Sequence, residues 1–413
     1  MNNTLKVKLG CYTGNTSMAV VSNLAPLLFL TFRSLYGISY SLLGLLVLVN
    51  FSTQLIIDLI FSFFSHKFNI QKTVRFMPIL TAVGLWIFAA SPFIFPDHEY
   101  TGLLIGTVLF SITCGLSEVL LSPIFAALPF PDPDRAMSGL HSVYAWGVVA
   151  VVGISTTFLL VAGKENWFFL PIFFSIIPVF TFIFYSTAEI PDIEKSEKTT
   201  GVSKLLKSKT LWASVFAIFL GGAAECTMAQ WAAGYLEQSL GIPKVWGDIF
   251  GVAMFAVMLG LGRSLYGKFG KNIRFILFIG AVGATSCYLL AALSPWPIVG
   301  LIGCGFTGFC VSMLWPGSLV VATDRIPSGG VFIYAIMAAG GDLGASIGPQ
   351  LIGIVTDSAM ASDKLIGFAN SLSISPDQLG MKLGMLVGML FPLIGIFLYY
   401  KMMKTDSKNN IGN

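Results

Sequence analysis

The chain has 413 residues, 55% hydrophobic and only 11% charged, with a mean hydropathy of +0.81. Soluble domains carry roughly 25% charged residues, so a water-soluble fold is excluded. The net charge of +4 comes from basic residues in short segments between apolar runs, never from a patch interleaved with aromatics. No nucleic-acid partner is expected from that pattern.

The apolar runs are about 20 residues long, the length that crosses a ~30 Å hydrocarbon core at ~1.5 Å per residue. Twelve spans are predicted near residues 9–32, 39–65, 72–92, 101–128, 137–163, 167–188, 209–238, 245–270, 273–293, 296–323, 329–356 and 381–401. The first run shows no small-residue cleavage pattern and is expected to be retained. Residues 189–208 are charged and poor in large apolar clusters, and read as a cytoplasmic linker. The expected fold is an all-α membrane protein with 12 transmembrane helices, an N-terminal six-helix bundle over 1–188 and a C-terminal one over 209–413. The side carrying both termini holds eighteen basic residues against five on the other, with Arg263 left inside a span. That asymmetry predicts cytoplasmic termini and a multi-pass protein of the plasma membrane. Cys11, Cys114, Cys226, Cys287, Cys304 and Cys310 lie in or beside apolar runs with no metal-like pairing and read as buried thiols.

The two halves share a signature. Asp134-Arg135-Ala136-Met137-Ser138-Gly139, with Tyr144, recurs as Asp324-Arg325-Ile326-Pro327-Ser328-Gly329, with Tyr334, five identities at a constant shift of 190 residues. A weaker echo links Lys67-Phe68 and Arg75-Phe76 to Lys268-Phe269 and Arg274-Phe275. Both echoes fall in loops at matching places of the two halves. A parallel repeat of six spans is the plan of the major facilitator superfamily, which the chain resembles over nearly its whole length. Within it the sequence is most similar to the fucose–galactose–glucose:proton symporter branch and its sodium-dependent glucose-transporter relatives. Gly115-Leu116-Ser117-Glu118 with Ser122-Pro123, Gly221-Gly222-Ala223-Ala224-Glu225 with Trp231 and Tyr235-Leu236, and Gly260-Leu261-Gly262-Arg263 carry that likeness. Ser138 and His141 stand where that branch has the Asn and Gln of its motif entering span 5. The loop after span 2 keeps basic character but lacks the superfamily's acid.

Of twenty acids, only Asp58, Glu118, Glu225 and Asp342 lie well inside spans. A charge at bilayer depth costs at least ~2.5 kcal/mol, so each is a functional candidate, with helix packing as the competing role. Ser111, Gly115, Glu118 and Ser122 fall at i, i+4, i+7 and i+11, a small polar stripe suited to lining water, which makes Glu118 the foremost ion-coupling candidate. Thr227, Gln230, Trp231 and Tyr235 occupy an arc of about 140–280° from Glu225, at 100° per residue. Either the helix bends at Gly221-Gly222 or Glu225 faces a neighbouring helix. The arc itself is a candidate sugar face, because aromatic rings stack on sugars and amides bond hydroxyls. Its alternative is packing. Asp342, within Gly340-Gly341-Asp342-Leu343-Gly344, could pair with Arg263 or bind a cation, and the Gly344…Gly348 spacing permits close helix contact. His141 could accept a proton or sit satisfied at an interface. Asn23, Ser122, Ser138 and Trp315 complete the substrate-contact candidates. Asp58, Arg263, Asp134, Arg135, Asp324 and Arg325 are expected to serve gating or structure.

No phosphate loop, catalytic triad or metal-ligand set is present in the sequence, so neither an enzyme nor a cofactor is expected beyond a coupling ion, H+ or Na+. The predicted function is ion-coupled monosaccharide import by a monomer in the lipid bilayer, through alternating access at a site between the halves. A multidrug or small-metabolite exporter, or a solute sensor that moves no cargo, are the alternatives.

Overall fold

The computed structural model describes residues 2–64, 67–131, 133–191, 205–326 and 330–409, which are helical and contain no strand. The chain divides into two compact units, Met1–Ile38 with Val49–Lys198, and Ser39–Leu48 with Thr199–Asn413. Most of the predicted linker, 192–204, lies outside the described residues.

The first unit contains α1 (Asn3–Leu27), α2 (Phe29–Tyr36), most of α3 (Tyr40–Phe64), α4 (Ile70–Ile94), α5 (Glu99–Ala126), α6 (Pro133–Ala162) and α7 (Phe169–Ser186). In the second are α8 (Lys209–Leu240), α9 (Lys244–Phe269), α10 (Ile273–Leu293), α11 (Pro297–Arg325), α12 (Gly330–Met360), α13 (Asp363–Ser371) and α14 (Pro376–Asn409). Among the described residues ten helices are long and apolar enough to cross a membrane, or eleven if the pair α1–α2, bent by 46°, is one span. The eleventh predicted span is α12. At 31 residues it is about 46 Å long, enough to cross the hydrocarbon core.

Local chemistry sets the ends. Asn2, Asn69, Ser208 and Asn272 each place a side-chain oxygen on the backbone N–H three residues on, starting α1, α4, α8 and α10. Gly37 and Gly241, at φ 64° and 65°, close α2 and α8 in the left-handed conformation that glycine adopts without strain.

Lipid offers no hydrophobic drive for one helix to seek another, so small residues and buried hydrogen bonds hold the bundles. In the first unit Asn15 Nδ2 donates to Leu140 O at 2.7 Å, joining α1 to α6, and the Thr81 and Thr113 hydroxyls meet at 2.7 Å between α4 and α5. The second unit is organised around α8. A methyl group on Gly344 would lie 2.1 Å from Phe219 O, and one on Gly222 would lie 2.5 Å from Gly341 O, so α8 and α12 touch backbone to backbone. The predicted close contact of Gly344 and Gly348 is this one. Tyr288 Oη and Tyr399 Oη donate to Ala224 O and Ala217 O, each at 2.8 Å, lacing α10 and α14 onto α8. Large apolar side chains such as Phe397, Ile298 and Leu160 point outward, as the surface of a membrane bundle requires.

Helix α3 takes part in both units. Its first turn is capped within the second: Ser41 N donates to Asp357 Oδ2 at 2.7 Å and Tyr40 N to Oδ1 at 3.2 Å, while Leu42 N reaches Ser39 Oγ at 3.3 Å. The carboxylate of α12 thus satisfies two of the first free N–H groups of another helix and lies at the positive end of its dipole.

Candidate functional site

In the first unit the polar side chains of α3 and α5 converge. Asn50, Gln54 and Asp58 recur every four residues on α3 and all three are buried. Ser111 Oγ lies 2.6 Å from Asn50 Oδ1 and 2.5 Å from Thr107 O, and Gln54 Nε2 donates to the same Asn50 oxygen at 3.1 Å. Gly115 allows this approach, since a methyl there would stand 3.0 Å from both Asp58 Oδ1 and Gln54 O. One turn further along, Glu118 is exposed, between buried Ser117 and half-buried Val119. The predicted water-lining stripe therefore splits: Ser111 and Gly115 form the helix contact, Glu118 is open and Ser122 is half-buried. Asp58, expected at a gate, packs in this contact beside Gly115.

Sequence reasoning did not single out Asn15, Asn50 or Gln54. The spacing of Asn50, Gln54 and Asp58 in an otherwise apolar run was the available signal, because buried amides need partners and partners need a shared face.

In the second unit α8 runs unbroken through Gly221-Gly222, so of the two possibilities Glu225 faces a neighbouring helix. Arg263 Nη2 of α9 lies 3.2 Å from Glu225 Oε1 and 3.4 Å from Oε2. Arg263 Nε also donates to Ser312 O at 3.1 Å, where α11 is interrupted at Ser312-Met313. Gly262 permits that approach by packing directly on Ser312. The partner considered for Arg263 from sequence, Asp342, is replaced by Glu225. Asp342 itself is buried in α12 beside the glycines that contact α8.

The aromatic arc is closed. Trp231 and Tyr235 are 0% exposed, Trp231 Nε1 donates to Pro349 O at 2.8 Å and Tyr235 Oη to Ala291 O at 2.6 Å. Thr227 is also fully buried, against Gly348, and Gln230 is buried. Helical phase groups these four residues on one buried face of α8, which α10 covers at Tyr235 and α12 at Trp231 and Thr227. Trp315 is half-buried with its ring against Gly222 and Gly341. Asn23 is half-buried and donates to Ala19 O of its own helix at 2.9 Å. Asp324 is exposed, and Arg325 Nη2 donates to Met402 O at 2.8 Å, tying α11 to α14. The side chains of Asp134, Arg135, Ser138 and His141 lie outside the described residues.

Similar folds occur among solved transporters. A bacterial homologue of the human lysosomal transporter Spinster matches with a TM-score of 0.69 at 15% identity, covering 97% of this chain and 96% of that one. The nucleoside transporter NupG matches with a TM-score of 0.69 at 14% identity, over 98% and 100% of the two chains. A variant of the E. coli fucose:proton symporter FucP matches with a TM-score of 0.57 at 16% identity, over 95% and 99%. No curated protein matches the sequence. The sequence model of the Major Facilitator Superfamily matches residues 11–349, and with the helical fold described above this chain belongs to that superfamily.

Proposed function

We propose that this transporter imports a monosaccharide by alternating access, driven by a proton or sodium gradient with Glu118 as the coupling carboxylate, across the plasma membrane with both termini in the cytoplasm. The observation that carries the reading is the first unit's polar assembly, in which Asn50, Gln54 and Ser111 form a hydrogen-bonded core next to the open carboxylate of Glu118. Amides and hydroxyls are the groups that exchange hydrogen bonds with a polyhydroxylated solute, and a carboxylate can load and release either cation. Glu225, neutralised by Arg263 at 3.2 Å, is assigned a structural role. The fold likeness to a fucose:proton symporter agrees with a sugar, and that to a nucleoside transporter agrees with a ribosyl solute, the second class to assay.

The test is uptake of labelled hexoses, deoxyhexoses, pentoses and nucleosides into vesicles containing the purified protein, with sodium and pH gradients imposed separately. Accumulation of a sugar under one gradient is the expected result. Efflux of drug-like cations, or binding without flux, would replace the proposal with an exporter or a sensor.

A further inference from the structure

The weaker internal echo, Lys67-Phe68 with Arg75-Phe76 and Lys268-Phe269 with Arg274-Phe275, has no part in the transport reading. In the structure Phe68 and Phe76 of the first copy and Phe269 of the second line apolar grooves, and the two grooves are built from corresponding helices. In the first unit α3, α4 and α5 enclose about 530 Å³, walled by Ile57, Phe61, Phe68, Phe76, Leu80 and Leu116, with Lys72 and Thr73 at one end. In the second unit α9, α10 and α11 enclose about 310 Å³, walled by Leu265, Phe269, Ile276, Ile279 and Phe309. Phe68 and Phe269, the matched aromatics of the echo, each line their own groove.

The loops that join α3 to α4 and α9 to α10 at these rims are basic. Lys67, Lys72, Lys268 and Lys271 are all exposed, while residues 59–96 and 249–323 contain no Asp or Glu. Asp58, the nearest acid before the first rim, is buried against Gly115 well down α3. Asn69 and Asn272 cap α4 and α10 at these same loops, so the positive ends of two helix dipoles add to the lysines. A long apolar trough with cationic groups at one end matches a molecule that is a hydrocarbon chain with an anionic phosphate at one end. The surrounding bilayer supplies such molecules.

We propose that each groove is a binding site for an anionic phospholipid, an acyl chain lying along the apolar wall and the phosphate between Lys67 and Lys72 in the first unit, or Lys268 and Lys271 in the second. The loop after span 2 lacks the superfamily's acid and carries only basic charges, which favours an anionic over a zwitterionic headgroup. At ~1 kcal/mol per lysine near an anionic phosphate, removing two lysines weakens retention about 30-fold. Added salt weakens it further, because the rim is exposed.

The full-length protein in detergent would be incubated with mixed micelles of phosphatidylglycerol and phosphatidylcholine, and retained lipids counted by native mass spectrometry. Retention of up to two phosphatidylglycerol molecules per chain is expected, in preference to phosphatidylcholine. Lys67→Ala with Lys72→Ala should lose one of them, and Lys268→Ala with Lys271→Ala the other. Leu80→Trp and Ile279→Trp fill the grooves without changing charge and should displace the same lipids, which keeps the test open if a charge variant fails to fold. Equal retention of both lipids, or retention unchanged by the lysine pairs, would overturn the proposal. Loss in the lysine variants with full retention in both tryptophan variants would also overturn it, by showing a diffuse surface-charge effect with no groove.

Discussion

Replacing Gly344 by alanine sets a methyl carbon 2.1 Å from the carbonyl oxygen of Phe219, a backbone atom that no rotamer change can move away. Side-chain carbons essentially never approach other heavy atoms within 3.0 Å, so α8 and α12 must separate by at least about 0.9 Å at this point. A gap of 0.5–1 Å forfeits about a quarter to a half of each dispersion contact it affects. The neighbouring contacts are also tight: a methyl on Gly222 would meet the Gly341 carbonyl, and one on Gly348 would meet Thr227 Oγ1. Overpacking of this kind costs about 1–3 kcal/mol, against the ~1 kcal/mol by which alanine favours a helix over glycine. With rigid backbone on the far side the upper end of that cost applies, and a net destabilisation of up to about 2 kcal/mol is expected, which for a chain of this size is about 2 °C. Gly260 in α9 is the control, since a methyl there meets nothing within 4 Å and Gly260→Ala should hold or raise stability. The assay is the temperature at which half of the detergent-solubilised protein remains monodisperse, compared at one heating rate because such unfolding is irreversible. Gly344→Ala melting at or above wild type, or below which Gly260→Ala falls, would refute the backbone-to-backbone contact.

Arg263→Ala should destabilise by about 1–3 kcal/mol, below the 3–5 kcal/mol of a fully buried pair because the Arg263 side chain is 45% exposed; Arg263→Ala combined with Glu225→Gln should recover part of that loss in the same thermal assay, and strictly additive losses would rule out the pairing. Asp357→Ala removes the cap on the first turn of α3 and should cost about 0.5–2 kcal/mol, with Asp357→Asn costing less, and faster amide hydrogen exchange at Tyr40 and Ser41 is the specific readout. Asn50→Leu leaves Ser111 and Gln54 without their shared acceptor and should lower both stability, by about 1–2 kcal/mol, and solute affinity; unchanged binding would place the solute elsewhere.

Hydropathy, span length and the two echoes made the class of fold legible, because lipid imposes helix length and leaves few alternatives for the backbone. The positions of individual side chains were less so. Helical phase correctly grouped Thr227, Gln230, Trp231 and Tyr235 on one face of α8, yet phase does not say whether a cavity or another helix covers that face, and here α10 and α12 do. Phase also separated Glu225 from that arc, and the straightness of α8 then left a neighbouring helix as its partner. Its partner, Arg263, was visible as the one basic residue inside a span. The pairing itself was not, since it depends on how Gly262 lets α9 approach the break at Ser312. Asn50 and Gln54 were overlooked because uncharged amides stand out less than acids in an apolar run, although their four-residue spacing to Asp58 was there to be read. Asp357 acts on a residue more than 300 positions away, a contact that no local pattern encodes.

The central claim is that Glu118 couples solute movement to an ion gradient, and paired uptake assays on Glu118→Gln test it most directly. Wild-type protein in vesicles should concentrate the labelled solute under an imposed proton or sodium gradient and also exchange it in counterflow without one. Glu118→Gln should lose concentrative uptake while keeping counterflow close to the wild-type rate, because the solute contacts remain and only the ion site is gone. Full concentrative uptake by Glu118→Gln, or equal loss of both activities, would contradict the account.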